Sequence, residues 1–162
     1  MANQNMTHIA LIDGTPPKLA AKADGDGELR TVRDTMELTA LAANDTVVLF
    51  RVPVDAKLDS LKLANDALGT TLTINIGFHR TDEGTTAVDA DAIGTAIDVS
   101  GALGFTEYRY ETKAIETIGQ TCWELAGLSE RPSYGMFDVT ITCATSGTPS
   151  AGSLSVSADS IQ

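Results

Sequence analysis

The chain has 162 residues, which suits one domain and is too short for two ordinary ones. Its 11 Lys and Arg against 22 Asp and Glu give a formal net charge of −11. That balance argues against a free nucleic-acid-binding module or a protein drawn to an anionic membrane, since both need a basic face. Apolar residues make up 43%, ordinary for a globular chain.

The charge is unevenly spread. No Lys or Arg occurs between Arg80 and Arg109, where Asp82, Glu83, Asp89, Asp91, Asp98 and Glu107 fall, and none follows Arg131. No apolar run is long enough for a membrane span. Met1 to His8 shows neither a basic start nor an apolar stretch, so folding in a cytoplasm is expected. Cys122 and Cys143 are read as reduced core residues, because one pair is no disulfide framework in a chain of this size.

Residues 1–28 differ from the rest. Ile9, Leu11, Ile12 and Leu19 are short or isolated apolar positions, Pro16-Pro17 prevents a continuous helix, and Asp24-Gly25-Asp26-Gly27 is an acidic hinge. The stretch is expected to be an extended N-terminal arm, with a single β-sandwich domain over 29–162.

Strand signals then follow one another. Met36, Leu38 and Ala40 alternate with Thr35, Glu37 and Thr39. Thr46 to Val52 is a near-continuous β-branched and aromatic run, covered on both faces, which Pro53 ends. Asp55-Ala56-Lys57 turns the chain into Leu58 to Ala64. Thr71 to Arg80 is the clearest strand, with Leu72, Ile74, Ile76 and Phe78 on one face. Residues 81–104 are acidic, Ala-rich and broken by Gly; they read as a long excursion with a short helix over Asp89 to Ile97 that Gly94 weakens. Phe105 to Glu111 resumes a strand, with an odd step between Phe105 and Tyr108 that suggests a bulge or an edge.

Ile115, Ile118, Cys122 and Leu125 recur at helical spacing, and Gly127 and Pro132 are placed to end that helix. Phe137, Val139, Ile141 and Cys143 alternate in the next strand, and Leu154, Val156 and Ala158 in the last. Seven or eight short strands with turns between them and one short helix make an all-β fold, an antiparallel β-sandwich or jelly roll.

Chemistry is hard to find in these residues. His8 and His79 are the two histidines, and neither has Cys or acid partners at zinc spacing. Asp24 to Glu28 opens like a calcium loop, but its twelfth position is Thr35 rather than a bidentate Glu, and it reads as a solvated turn. Asp89 and Asp91 read likewise. There is no nucleophile elbow, phosphate loop or dinucleotide fingerprint. The expectation is no enzyme, no cofactor and no metal site. Trp123 is read as a packing residue rather than a sugar platform, while Tyr108, Tyr110 and Tyr134 with Arg109 and Arg131 suit a protein interface.

The order of segments resembles a known family. An arm is followed by Leu49-Phe50-Arg51-Val52-Pro53, then by Asp66-Ala67-Leu68-Gly69 leading into Leu72-Thr73-Ile74-Asn75-Ile76-Gly77. Trp123-Glu124-Leu125-Ala126-Gly127-Leu128, Tyr134 to Thr142 and Ala151-Gly152-Ser153-Leu154 come later. Over about residues 30–158 this resembles the capsid decoration, or cement, proteins of tailed bacteriophages with a jelly-roll-like sandwich. The departure is the end, Asp159-Ser160-Ile161-Gln162, where such families often carry an aromatic.

The resemblance implies a virion structural protein on the capsid exterior, assembled in the host cytoplasm. Its partners would be the major capsid protein and itself, as a trimer, with no direct contact to nucleic acid or membrane. It would clamp neighbouring capsomers, and its acidic surface would be steered to basic patches of the shell. The candidate capsid or neighbour contacts are Met6, Ile9, Leu11, Ile12, Leu19, Tyr108, Arg109 and Tyr110. The alternatives are a carbohydrate-binding or adhesin sandwich, or another small virion component such as a head-fibre base or a tail accessory.

Overall fold

The computed structural model describes residues 3–5 (backbone only), 29–81, 86–109, 117, 119–145 and 147–161. In chain order the elements are β1 (Asn3–Asn5), β2 (Leu29–Leu38), β3 (Thr46–Pro53), β4 (Lys57–Asn65), β5 (Thr73–Arg80), β6 (Ala87–Asp98), β7 (Leu103–Glu107), α1 (Cys122–Leu125), β8 (Met136–Thr145) and β9 (Gly152–Ile161). They form two sheets, ordered β1-β3-β8-β5-β6 and β2-β9-β4-β7. All pairs are antiparallel except β1 with β3, where Asn3, Gln4 and Asn5 run parallel to Thr46, Val47 and Val48. The expected all-β sandwich with one short helix is what forms.

The apolar faces of the two sheets meet in one core. Ile74, Ile76 and Phe78 of β5 and Phe137, Val139, Ile141 and Cys143 of β8 come from one side. Leu58, Leu61 and Leu63 of β4 and Leu154, Val156 and Ala158 of β9 come from the other, all 2% exposed or less. Each such Leu, Ile, Val or Phe contributes roughly 1.5–3 kcal/mol of burial. β9 ends without an aromatic, so small residues, Ala158 and Ser160, fill its last inward positions.

Bulges set which residues point inward. In β3 the register against β8 slips between Val48 and Phe50. Val47 and Leu49 point into the core before the slip and Phe50 and Val52 after it, so consecutive Leu49 and Phe50 are both buried. A one-residue slip exchanges faces, which is why this run loses its alternation.

Residues 87–98 correct the expectation of an excursion with a short helix: they form β6. The strand slips register against β5 three times and stacks its extra residues over Gly77. A Cβ at Gly77 would lie 2.1 Å from the carbonyl oxygen of Asp89. Ala96, at φ 52°, turns back and donates its amide to Asn75 Oδ1 at 2.8 Å.

α1 is a single turn. Thr121 donates its amide and hydroxyl to Glu124 Oε2 at 2.8 and 2.7 Å, fixing the start. Gly127, at φ 68°, ends it: its amide and that of Leu128 reach back to Glu124 and Trp123 at 3.0 and 3.2 Å. The amides of Cys122 and Trp123 bind the carbonyls of Ala56 and Val54, so α1 plugs the corner between β3 and β4. Ile115 and Ile118 lie outside the described residues, as does the Asp24–Glu28 turn.

Candidate functional site: the two outer sheet faces

The sandwich has two outward faces, and they differ. On the five-stranded sheet several outward residues of the central strands are polar by sequence yet buried, namely Thr46, His79, Asp138 and Thr140, while Arg51, Thr73, Asn75 and Thr142 are half-buried. Arg51, Asp138 and His79 stand opposite one another across β3, β8 and β5. Arg51 donates to Asp138 through Nε at 2.7 Å and Nη2 at 3.2 Å. Thr140 Oγ1 lies 2.6 Å from His79 Nδ1. Burial lowers the His79 pKa, against the pull of Asp138, so the ring is neutral at pH 7. A Thr, a His and an Asp thus stand together. The hydroxyl is fully enclosed, however, and cannot meet a substrate.

The outer face of the four-stranded sheet is open. Thr31, Arg33, Thr35 and Glu37 of β2 line up with Ser153, Ser155, Ser157 and Asp159 of β9, and Ser60 and Lys62 of β4 follow. The acids are engaged within the sheet. Thr31 and Ser60 donate their hydroxyls to Asp159 at 2.6 and 3.0 Å, holding its carboxyl below the usual range with help from Arg33 and Lys62. Ser153 donates to Glu37 at 2.8 Å, and Glu107 accepts the amides of Leu61 and Arg109. A shallow groove of about 670 Å³ runs between Arg33, Lys62, Phe105 and Ser157.

Every large hydrophobic residue that stands exposed among the described residues belongs to this sheet: Leu29 (60%), Phe105 (59%), Ile161 (39%) and Leu103 (37%). Sequence reading missed Arg33, Lys62, Leu103 and Phe105 as surface candidates. The usable signal was the step of two between Leu103 and Phe105 in a stretch without other large side chains.

The candidate contact residues fall in two groups. Met6, Ile9, Leu11, Ile12, Leu19 and Tyr110 lie outside the described residues. Tyr108 and Arg109 are inside the protein, at 7% and 1% exposure. β7 ends at Glu107, and the chain then turns inward. Arg109 Nε donates to the Leu58 carbonyl at 3.0 Å, and its Nη groups bind Thr117. The guanidinium therefore ties the end of β7 to Thr117 across 110–116.

Tyr134 stacks edge-on against Phe137 and carries the Arg80 guanidinium 4.7 Å above its ring, and Trp123 packs against the core. Arg131 pairs with Asp55 at the surface, Nε to Oδ1 at 2.7 Å. Cys122 and Cys143 are both free and buried, and burial pushes the Cys122 thiol up to about 12. Asp89 accepts the Asp91 amide and Asp91 the Thr95 hydroxyl. Among the described residues no three metal-ligating side chains cluster.

The fold is shared with chains of two phage capsids. A chain in the capsid of Ralstonia phage GP4 matches with a TM-score of 0.70 over 99% of this chain and 98% of that one, at 18% identity. A chain in the Cyanophage Pam1 capsid asymmetric unit matches with a TM-score of 0.57 over 92% and 96%, at 19% identity. At such identities the likeness is one of fold. No protein-family model matches the sequence, and no curated protein does.

Proposed function

We propose that this chain is a structural protein of a tailed-phage virion. It sits on the outer surface of the capsid and holds neighbouring shell subunits together, without making or breaking covalent bonds. The observation that carries this reading is the agreement of fold and length with the GP4 capsid chain: 99% of one chain and 98% of the other superpose. A fold reused with large insertions would not match end to end. The strand order also supports it. β3-β8-β5-β6 packed on β2-β9-β4-β7 is the two-sheet, eight-strand connectivity of a jelly roll, common in viral capsids.

The mechanism is added contact area. A standard interface buries about 1,600 Å², and a ligand that binds the assembled shell but not its dissociated subunits stabilises the shell by mass action. In this reading the arm, 1–28, with Met6, Ile9, Leu11, Ile12 and Leu19, bridges neighbours. The outer edge of β3, which β1 occupies here, is the place where the arm of another copy adds a strand. Tyr108 and Arg109 act from inside, fixing the end of β7, and Tyr110 is read as a shell contact. The partners are the major capsid protein and further copies of this chain, as a trimer.

Co-sedimentation with undecorated heads, followed by imaging, tests the reading. The expected result is saturable binding at regular external positions and heads that release DNA at a higher temperature. Protein that stays in the supernatant at micromolar concentration overturns it.

A further inference from the structure

We propose that β2 pairs edge to edge with β2 of a second copy, antiparallel about a two-fold axis at Thr35, so that the four-stranded sheets of two molecules become one continuous sheet. The contact is separate from the shell binding and the trimer proposed above, and it is tested on the purified protein alone.

Among the described strands, three of the sheet edges are blunted. On β3, β1 takes Thr46 to Val48, and just beyond it the carbonyls of Val54 and Ala56 accept the amides of Trp123 and Cys122 of α1. β6 slips register three times, and β7 has five residues and slips once. β2 is different. Its ten residues hold neither Gly nor Pro, and they pair with β9 from Leu29 to Leu38 without a slip. A long, straight edge of this kind accepts another strand.

Neighbouring hydrogen bonds fix which backbone groups face that edge. Ser153 donates its amide to Asp66 Oδ2 at 3.0 Å, and its carbonyl accepts the Asp66 amide at 3.0 Å. Its main chain therefore faces the end of β4, and by the period of two so does that of Ser155, Ser157 and Asp159. Their partners Glu37, Thr35, Arg33 and Thr31 then turn amide and carbonyl away from β9, toward the open edge. The Thr35 amide agrees, donating to the Asp34 carboxylate at 2.8 Å.

A second copy offers one described edge that matches, β2 itself, since its other edges are blunted as well. Two-fold pairing keeps the outward faces on one side, so odd-numbered residues stand opposite odd-numbered ones. Of the two-fold registers centred within β2, the one at Thr35 is the one that opposes unlike charges on the exposed side, Arg33 to Glu37 twice. Val32 then stands opposite Leu38 and Asp34 opposite Met36 on the inner side. Centring on Arg33 or on Asp34 instead opposes a charge to itself. Arg33 also attracts Asp159, and Glu37 accepts the Ser153 hydroxyl at 2.8 Å, but neither contact removes a charge. The backbone carries the contact, with about six main-chain hydrogen bonds, and the charges select the register. Asp34 guards it: its carboxylate holds the central amide, and a partner strand has to displace it.

Sedimentation of full-length protein from about 1 μM to about 500 μM, a range suited to a small contact, is combined with amide exchange resolved by NMR. The average mass should rise with concentration, and the amides of Arg33, Thr35 and Glu37 should become protected as it does. Arg33→Glu should associate at least about tenfold more weakly, and Arg33→Glu with Glu37→Arg should return to within about threefold of wild type. Asp34→Ala should associate at least about tenfold more tightly. Arg33 and Glu37 are exposed, so the charge exchange decides even where Asp34→Ala fails to fold, and thermal melts check each variant. A constant mass with unprotected amides overturns the pairing. Association that these variants leave unchanged belongs to another surface and overturns it too. A loss that the second exchange does not restore overturns the register at Thr35. None of these outcomes touches the virion reading, which head binding decides.

Discussion

Arg51 and Asp138 face each other across β3 and β8 with Nε 2.7 Å from Oδ1, and the same Asp138 stands opposite His79 on β5. The carboxylate thus ties β3 to β8, while His79 on β5 is held by Thr140 of β8. The Asp138 side chain is 8% exposed and that of Arg51 17%. Arg51→Ala leaves a buried carboxylate without its cation and should cost about 3 kcal/mol, read as a lower midpoint in urea unfolding. Unchanged stability would mean that water reaches Asp138.

His79 makes stability depend on pH. Burial lowers its folded pKa below the unfolded value of 6.5, so the unfolded chain binds the proton more readily. The stabilisation is complete above 6.5 and declines as pH falls below it toward the folded pKa. Urea midpoints should therefore drop between pH 7 and pH 5, and His79→Gln should flatten that slope. Asp55, Asp66, Asp98, Glu124 and Asp159 have lowered pKa values, so their contribution is lost at more acid pH, below about 4.

Gly77→Ala should be among the worst single substitutions. The added methyl would meet backbone of β6, 2.1 Å from an oxygen and 2.4 Å from the Ala90 carbonyl carbon, and neither can swing aside. A loss of about 3 kcal/mol is expected, seen as a melting temperature several degrees lower. Gly101→Ala, where nothing lies within 4 Å, is the control.

The thiols should be silent. With Cys122 at 0% and Cys143 at 1% exposure and both pKa values raised by burial, a thiol reagent at mildly alkaline pH should label neither in the folded protein. Both should react in guanidinium without prior reduction. Rapid labelling of the native protein would show that α1, which carries Cys122, opens readily.

Removal of residues 1–28 should leave a cooperatively folding body, because β1 adds three residues at a sheet edge while the core lies in β2 to β9. Head binding by that body should fall strongly. Wild-type affinity after the deletion would remove the arm from the mechanism.

Most of the sandwich was legible because β2, β5, β8 and β9 keep a period of two: Ile74, Ile76 and Phe78, or Leu154, Val156 and Ala158, declare an inward face. β6 was not legible. Its residues stack over Gly77 through repeated register slips, and a slipping strand has no fixed period to read. The helix proved one turn long, since Gly119, at φ 82°, breaks the run just before Thr121. Asp138 and Thr140 alternate with the apolar residues of β8 as solvent-facing residues would, yet are buried, because alternation reports polarity and not what lies above it. The open face stayed hidden for the complementary reason: its Ser and Thr are ordinary surface residues one by one, and only the pairing of β2, β9 and β4 shows them side by side. Tyr108 and Arg109 mislead in the other direction, because an aromatic and a cation at a strand end suit an interface and a buried clamp equally.

β5 and β6 are the one hydrogen-bonded strand pair adjacent in sequence among the described strands. β8 separates β3 from β5, and β9 separates β2 from β4, so the two strands of the sandwich that come latest in the chain are each paired on both sides. A nascent chain that has reached only β7 holds most of its apolar residues and neither keystone. It must be kept from sticking to other chains until synthesis has delivered β9, and closure then comes late and all at once.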